Sequence, residues 1–388
     1  MNYLIQAWAC LPDKGGEFAV SWGWISHLSN CIGESDSIYV VSLTLKNEHI
    51  QEYQLKNVKV IDIEAFEKFK FLENTPLYYW VWQRLAYRKV SSMDIHFDVI
   101  HLYSLSDFRQ PGVWYKYKNS TTIFGPVGGG QVCPKSLTGY EQKFYYIRNI
   151  INSICKYNPF YKRCIKRYSC KYACNKETGE YLKESELLID VPLNDRLKNL
   201  NVLQKKTEEK AIILFCGRLI NKKGLFLLLD VIKRIPKDRE YEVHIYGEGI
   251  LREAIENQIR YADLEERVIV KGAVPYEEMT KVYRTADVFV LPSLRESGGS
   301  VLVEAMAHAL PIVSLDMAFS SILKQNDTGI FIDIHQSTEG ILNSFADALV
   351  RLIDDSELRT KLGYNGYKYV NNELTWDKMI EKVYGKYI

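Results

Sequence analysis

The chain reads as an α/β protein made of two Rossmann-like domains facing across a cleft. Three observations lead there. At 388 residues it is about three times the common domain size, which predicts two cores. From residue 211 onward, short β-branched runs alternate with amphipathic helical segments, the pattern of a parallel sheet covered by helices on both faces. Between the halves, residues 194–210 (NDRLKNLNVLQKKTEEK) are polar, charged and weakly periodic, which is linker composition.

The expected organisation is therefore a domain at 1–193, a linker at 194–210, a second domain at 211–370 and a terminal segment at 371–388. In the first domain, residues 3–7, 37–42, 58–61, 99–102 and 122–124 read as strands, and helices start at Gly16 and near Pro76. In the second, residues 211–216, 242–246, 267–270, 288–291, 311–314 and 329–332 read as strands, most of them separated by enough chain for a crossover helix. The terminal segment has a helical apolar pattern at Trp376, Met379, Ile380 and Val383. That face needs a surface, and the expectation is that it packs back toward the first domain.

Composition narrows the function classes. With 47% hydrophobic and 25% charged residues, the chain is neither disordered nor low in complexity. Lys and Arg number 50 against 48 Asp and Glu, a net charge of +2, so the global footprint of a nucleic-acid binder is missing. Eight cysteines are scattered with no CxxC pair, which indicates neither zinc nor a disulfide framework. The N-terminal run is too short and interrupted for a signal peptide, and no stretch reaches the ~18 apolar residues of a membrane span. A cytoplasmic protein is expected, with attachment to the inner membrane surface left open.

The most informative stretch is LPSLRESGGSVLVEAMAHALPIV at 291–313. It places Glu296, then Gly298, Gly299 and Ser300, then a helix carrying Glu304. Small residues at a helix start leave backbone N–H groups open to an anion, and the helix dipole favours a phosphate there. A carboxylate such as Glu304 offers two acceptors to the vicinal hydroxyls of a ribose, and Glu296 could do the same for a sugar. A second junction, FCGRLINKKG at 215–224, sets Arg218 and Lys223 near the carboxyl end of a strand. Such cations suit a diphosphate.

These motifs, GRLxxxKG, YGEG, VxGxVP, ADVFVLPS and E-x7-E-A-M-A in that order, resemble the retaining glycosyltransferases of family 4, which have the two-domain GT-B fold. In the first half, PDKGGEFAVSWGW, FDVIHLYSLSDFRQPG and FGPVGGGQ look like the members that build polysaccharides and lipid-linked glycans. The resemblance implies that Arg218 and Lys223 hold the donor diphosphate, Glu304 the ribose and Glu296 the transferred sugar. It implies that Gly298, Gly299 and Ser300 line the phosphate loop and that the Gly15 and Gly16 turn closes on the donor. It also sets His101 near the reacting sugar. Configuration would be retained, with protein cations in place of a metal. The nucleotide-sugar is then a substrate, and no cofactor is expected. The partners would be that donor and a glycan or lipid-linked acceptor, with no nucleic acid. Four positions depart from the pattern: Gly298 stands where a bulky residue is usual, Ala309 replaces a glycine, LDMAFSS at 315–321 replaces a glycine-rich turn, and no DxD is present beyond Asp62-Ile63-Glu64.

From Lys143 to Lys176 there are nine Lys or Arg and no Asp or Glu. Tyr161, Ile165, Tyr168 and Tyr172 fall on one helical stripe, with Lys162, Arg163, Lys166 and Arg167 projecting elsewhere. Two readings stand: a helix attached to an anionic bilayer, or one that packs its tyrosines on the sheet. Alternatives for the whole chain are another GT-B enzyme, such as an epimerase or a phosphorylase, or an inactive nucleotide-sugar-binding protein.

Overall fold

A computed structural model describes residues 1–388 except Asp13, Gly15, Asn74, Ser104, Ser106, Gln142, Lys143 and 203–209. The assignment to Gly15 and part of the expected linker lie outside the described residues. The chain divides into two compact units. The first comprises Met1–Gly130, Ile150–Asp190 and Trp376–Ile388, the second Gln131–Asn149 and Val191–Thr375.

The first unit holds a seven-stranded parallel sheet. Its strands are β1 (Asn2–Gln6), β2 (Ser37–Val41), β3 (Val58–Ile61), β4 (Val99–Leu102), β5 (Thr121–Val127), β6 (Cys170–Ala173) and β7 (Glu186–Leu187), in the order β3-β2-β1-β4-β5-β6-β7. The central strands β1, β4 and β5 are buried along nearly their whole length, as expected of a parallel sheet covered by helices on both faces. Gly23, in the helix Glu17–Cys31, makes room for the terminal helix: a Cβ there would stand 1.9 Å from the Trp376 ring. Trp376, Met379, Ile380, Val383 and Tyr384 all lie in one core with Tyr3, Trp24 and Leu28. The terminal segment therefore completes the first unit.

The basic stretch differs from the single helix expected. A helix over Pro159–Ile165 ends where the chain turns, and Tyr172 sits on strand β6. The tyrosines are buried, with the Tyr161 hydroxyl donating to the Phe108 carbonyl at 2.9 Å and the Tyr172 hydroxyl to that of Lys382 at 3.4 Å. Lys162, Arg163, Lys166 and Arg167 are exposed. Burial at both helical and strand spacing produced the apparent stripe, and the tyrosines are core residues.

The second unit holds a six-stranded parallel sheet: β8 (Ala211–Cys216), β9 (Tyr241–Tyr246), β10 (Val268–Gly272), β11 (Val288–Leu291), β12 (Ile312–Leu315) and β13 (Gly329–Ile332), ordered β10-β9-β8-β11-β12-β13. The order reverses between β8 and β11. In such sheets the crevice beyond the carboxyl ends of the strands at the reversal is where ligands bind.

Candidate functional site

Both motifs singled out in the second half open at this reversal, one after β8 and one after β11. Gly224 joins them. Its φ is 72°, and a Cβ would come within 2.0 Å of the Pro292 carbonyl oxygen, so the loop after β8 can lie against the loop after β11 only with glycine there. The Leu294 amide donates to the Lys222 carbonyl at 2.9 Å, which fixes the register of the two loops.

Four cations gather here. Lys222 is pushed below its ordinary range by burial and by the neighbouring charges of Lys223, Arg218 and Arg295, against the opposing pull of Glu296. Lys223 pairs with Glu296, whose Oε2 also accepts from the Ser293 hydroxyl at 3.2 Å. Arg295 pairs with the buried Glu141, which comes from the Gln131–Asn149 segment. That segment also brings Gln131, whose amide donates to the Ser297 hydroxyl at 2.6 Å. Arg218 and Lys222 have no carboxylate partner among the described residues. Two compensated and two uncompensated cations at strand ends favour a multiply charged anion.

Beside them, Gly299 (φ 70°) caps the helix Ser300–Ala307. Gly298 and Gly299 are buried and Ser300 is exposed. Glu304 accepts from the Tyr283 hydroxyl at 2.8 Å. Burial raises its carboxyl from 4.5 to about 7, partly offset by that hydrogen bond. Tyr283 stacks on His308, ring centroids 4.9 Å apart, and His308 Nδ1 contacts the Glu304 carbonyl oxygen at 2.7 Å. A cavity of about 250 Å³ opens here, lined by Glu304, His308, Tyr283, Tyr276 and Arg196 among others. Of these, the sequence pattern marks only Glu304. Arg295, Gln131 and Glu141 carry no such mark, because no spacing rule links them to the glycine loop.

Two of the departures from the expected pattern fall at backbone positions with positive φ. Ala309 has φ 54° and Ala318 has φ 51°, so both alanines adopt left-handed conformations that glycine takes at no steric cost. At Ala309 the Leu310 amide donates back to the Ala305 carbonyl at 3.1 Å, closing the helix as a glycine would. Ala318 is flanked by the buried Met317 and Phe319, which hold the turn. Asp62 is an exposed strand-end charge paired with Lys46 at 3.0 Å.

In the first unit, Gly16 is an exposed residue at φ 68° that starts the helix Glu17–Cys31. The expectation for His101 needs correction. Its side chain is fully buried. Nε2 donates to the Gly125 carbonyl and Nδ1 therefore accepts from the Tyr384 hydroxyl. Burial lowers its pKa to about 4. Sealed, neutral and bonded at both nitrogens, His101 ties β4 to β5 and to the terminal helix, and has no free atom for a reacting sugar.

Among the described residues no group of three or more His, Cys, Asp or Glu side chains converges to hold a metal, and no helix is long and apolar enough to cross a membrane.

Residues 199–369 match the family described as "Glycosyl transferases group 1". The chain is 24% identical over 376 residues to an uncharacterized glycosyltransferase of Methanocaldococcus jannaschii, covering 92% of this chain and 93% of the relative. It is 32% identical over 185 residues to the D-inositol 3-phosphate glycosyltransferase of Corynebacterium diphtheriae, covering 45% and 42%. Alignments to other relatives are as short: the chain spans 45% and 40% of the length of two more. Among solved structures, sucrose-phosphate synthase from Thermosynechococcus elongatus is similar with TM-score 0.70 at 16% identity, over 100% of this chain and 98% of that one. Anabaena HepE, solved with UDP, gives TM-score 0.64 at 13% identity over 100% and 99%. The fold is that of the GT-B glycosyltransferases.

Proposed function

We propose that the protein is a retaining glycosyltransferase that moves a sugar from a nucleotide-sugar donor to a glycan or lipid-linked glycan acceptor, in the manner of family 4. The observation that carries the reading is the pair of cations, Arg218 and Lys222, that form no ion pair among the described residues, set beside the Lys223–Glu296 pair and the glycine-capped helix at the sheet reversal. Breaking the bond from the anomeric carbon to the β-phosphate oxygen leaves charge on the diphosphate. Arg218, Lys222, Lys223 and the amides at the start of the helix Ser300–Ala307 would stabilise it. Glu304 receives the ribose hydroxyls from its Tyr283-supported position. Glu296, adjacent to both loops, contacts the transferred sugar. The acceptor hydroxyl attacks the oxocarbenium-like carbon from the leaving-group face and passes its proton to the departing phosphate, so configuration is retained.

The fixed cations take the role a divalent ion has elsewhere, and activity is expected to survive EDTA. The site lies in the cytoplasm, at the membrane surface when the acceptor is lipid-linked. UDP bound to HepE supports a nucleoside diphosphate as the ligand class. The test is a thermal-shift panel of UDP-, GDP- and ADP-sugars followed by donor hydrolysis with and without EDTA. One donor should raise the melting temperature with concentration and be slowly hydrolysed. Binding with neither hydrolysis nor transfer to an acceptor would point to an inactive binding protein; full loss in EDTA restored by Mg²⁺ would remove the metal-free mechanism.

A further inference from the structure

The helix Phe144–Tyr157 is turned the opposite way from an ordinary surface helix. Among its described side chains the buried one is polar: Asn152 is 1% exposed, accepts from Arg109 Nη1 at 3.4 Å and donates to the Gly129 carbonyl at 3.5 Å. Its outer face is apolar. Ile147, Ile150, Ile151 and Ile154 recur at helical spacing and are all exposed, Ile150 by 59% and Ile154 by 58%. Tyr157 and Phe160 continue the face at 73% and 79% exposure. The Asn158 side chain accepts from the Phe160 and Tyr161 amides and starts the next helix, Pro159–Ile165.

Cations flank this ridge. Lys156, Lys162, Arg163, Lys166 and Arg167 are exposed, and none forms an ion pair with a carboxylate among the described residues. Lys162 lies over the Tyr157 ring, 5.9 Å from its centroid. An apolar ridge bordered by uncompensated positive charge, with no acidic residue between Lys143 and Lys176, complements a surface that is greasy below and negative at its boundary.

We infer that the helix Phe144–Tyr157 and the start of Pro159–Ile165 form a docking face for an anionic lipid bilayer, with the isoleucines, Tyr157 and Phe160 entering the acyl boundary and the five cations at the headgroups. The inserting residues are thus on the helix before the one that carries the basic cluster, and the buried Tyr161, Ile165 and Tyr168 take no part. The inference does not depend on the donor site, since binding is read without nucleotide, and the proposed reaction stands with a soluble acceptor if it fails.

The test is sedimentation of the full chain with vesicles of phosphatidylglycerol in phosphatidylcholine, and of phosphatidylcholine alone. Wild type should pellet with the anionic vesicles and not the neutral ones, and salt should weaken binding. The double variant Ile150→Gln, Ile154→Gln should bind at least tenfold more weakly with an unchanged melting temperature, because both side chains are exposed. Replacing Lys162, Arg163, Lys166 and Arg167 with Gln should cost about fivefold per cation at low salt. As a gain of signal, the indole introduced by Ile154→Trp should shift its fluorescence to the blue and be quenched by brominated lipid. Absence of wild-type pelleting, an Ile150/Ile154 double variant that binds as wild type, an Ile154→Trp variant whose added emission brominated lipid leaves unquenched, or a lipid-free dimer abolished by the same substitutions would each overturn the proposal, the last by making the face a protein interface.

Discussion

Removing the Glu296 charge should tighten the binding of a plain nucleoside diphosphate while it slows sugar transfer. Lys223 is held by Glu296, with side-chain exposures of only 11% and 16%. An incoming diphosphate has to share that ammonium with a carboxylate of its own sign. Two unit charges about 4 Å apart interact by roughly 4 kcal/mol at the effective dielectric near a protein surface, and desolvation and screening reduce what binding can recover. The expected net gain for Glu296→Gln is about 1 to 2 kcal/mol, five- to thirtyfold in affinity. Gln keeps the shape and an acceptor for the Ser293 hydroxyl, so the comparison isolates the charge. Calorimetric titration with the diphosphate of the donor found in the panel, at two salt concentrations, reads the effect, which should shrink as salt rises. Donor turnover on the same variant should fall, because the sugar loses its partner. A Glu296→Gln protein that binds the diphosphate more weakly than wild type would refute the reasoning, since Glu296 would then organise the nucleotide itself.

Three further outcomes follow from the geometry. Burial raises Glu304 from 4.5 to about 7, so the folded protein holds a proton that the unfolded chain releases between those values. Stability should fall as pH rises from about 4.5 through about 7, nucleotide affinity should rise as pH passes 7, and Glu304→Gln should abolish both slopes in denaturant titrations and calorimetry; equal slopes in the two proteins would discount a buried carboxyl. Ala309→Gly and Ala318→Gly should each stabilise by about 0.5 to 1 kcal/mol, the left-handed strain of alanine less the added chain entropy of glycine, and a loss of stability at either site would show that no strain is held there. Tyr384→Phe leaves the buried Nδ1 of His101 without a donor and should cost about 1 to 3 kcal/mol, with donor hydrolysis per folded molecule unchanged; a selective loss of hydrolysis would return His101 to the chemistry.

What could be read from the amino-acid order, and what could not, divides along physical lines. Ala211–Cys216 and Val288–Leu291 were legible to the residue because parallel strands buried on both faces are unbroken apolar runs. Cys170–Ala173 and Glu186–Leu187 were not, because a short strand bearing Lys171 and a two-residue edge strand carry no such run. The carboxylates and cations of the glycine loops were legible because their spacing along one strand–loop–helix junction is local. Arg295 was in plain view within that motif, but its partner Glu141 lies far away in sequence and no periodicity joins them. The isoleucine ridge shows the same limit from another side. Helical spacing shows that Ile147, Ile150, Ile151 and Ile154 share a face; which way that face looks is decided by Asn152, Arg109 and Gly129, and only the fold brings those together.

The terminal helix bears on how the molecule comes into being. Tyr3 donates to the carbonyl of Tyr387, a hydrogen bond that spans 384 positions, and His101 meets Tyr384 across 283. As the chain leaves the ribosome from its amino end, the first sheet can pair its strands early. The pocket around Trp24 stays open until Trp376, Met379 and Ile380 have been made. The second unit, whose residues all precede Trp376, can close its core sooner. The half begun first is thus the half finished last. A chain cut just before Trp376 would hold every residue of the second unit while the groove around Trp24 in the first lacked its cover.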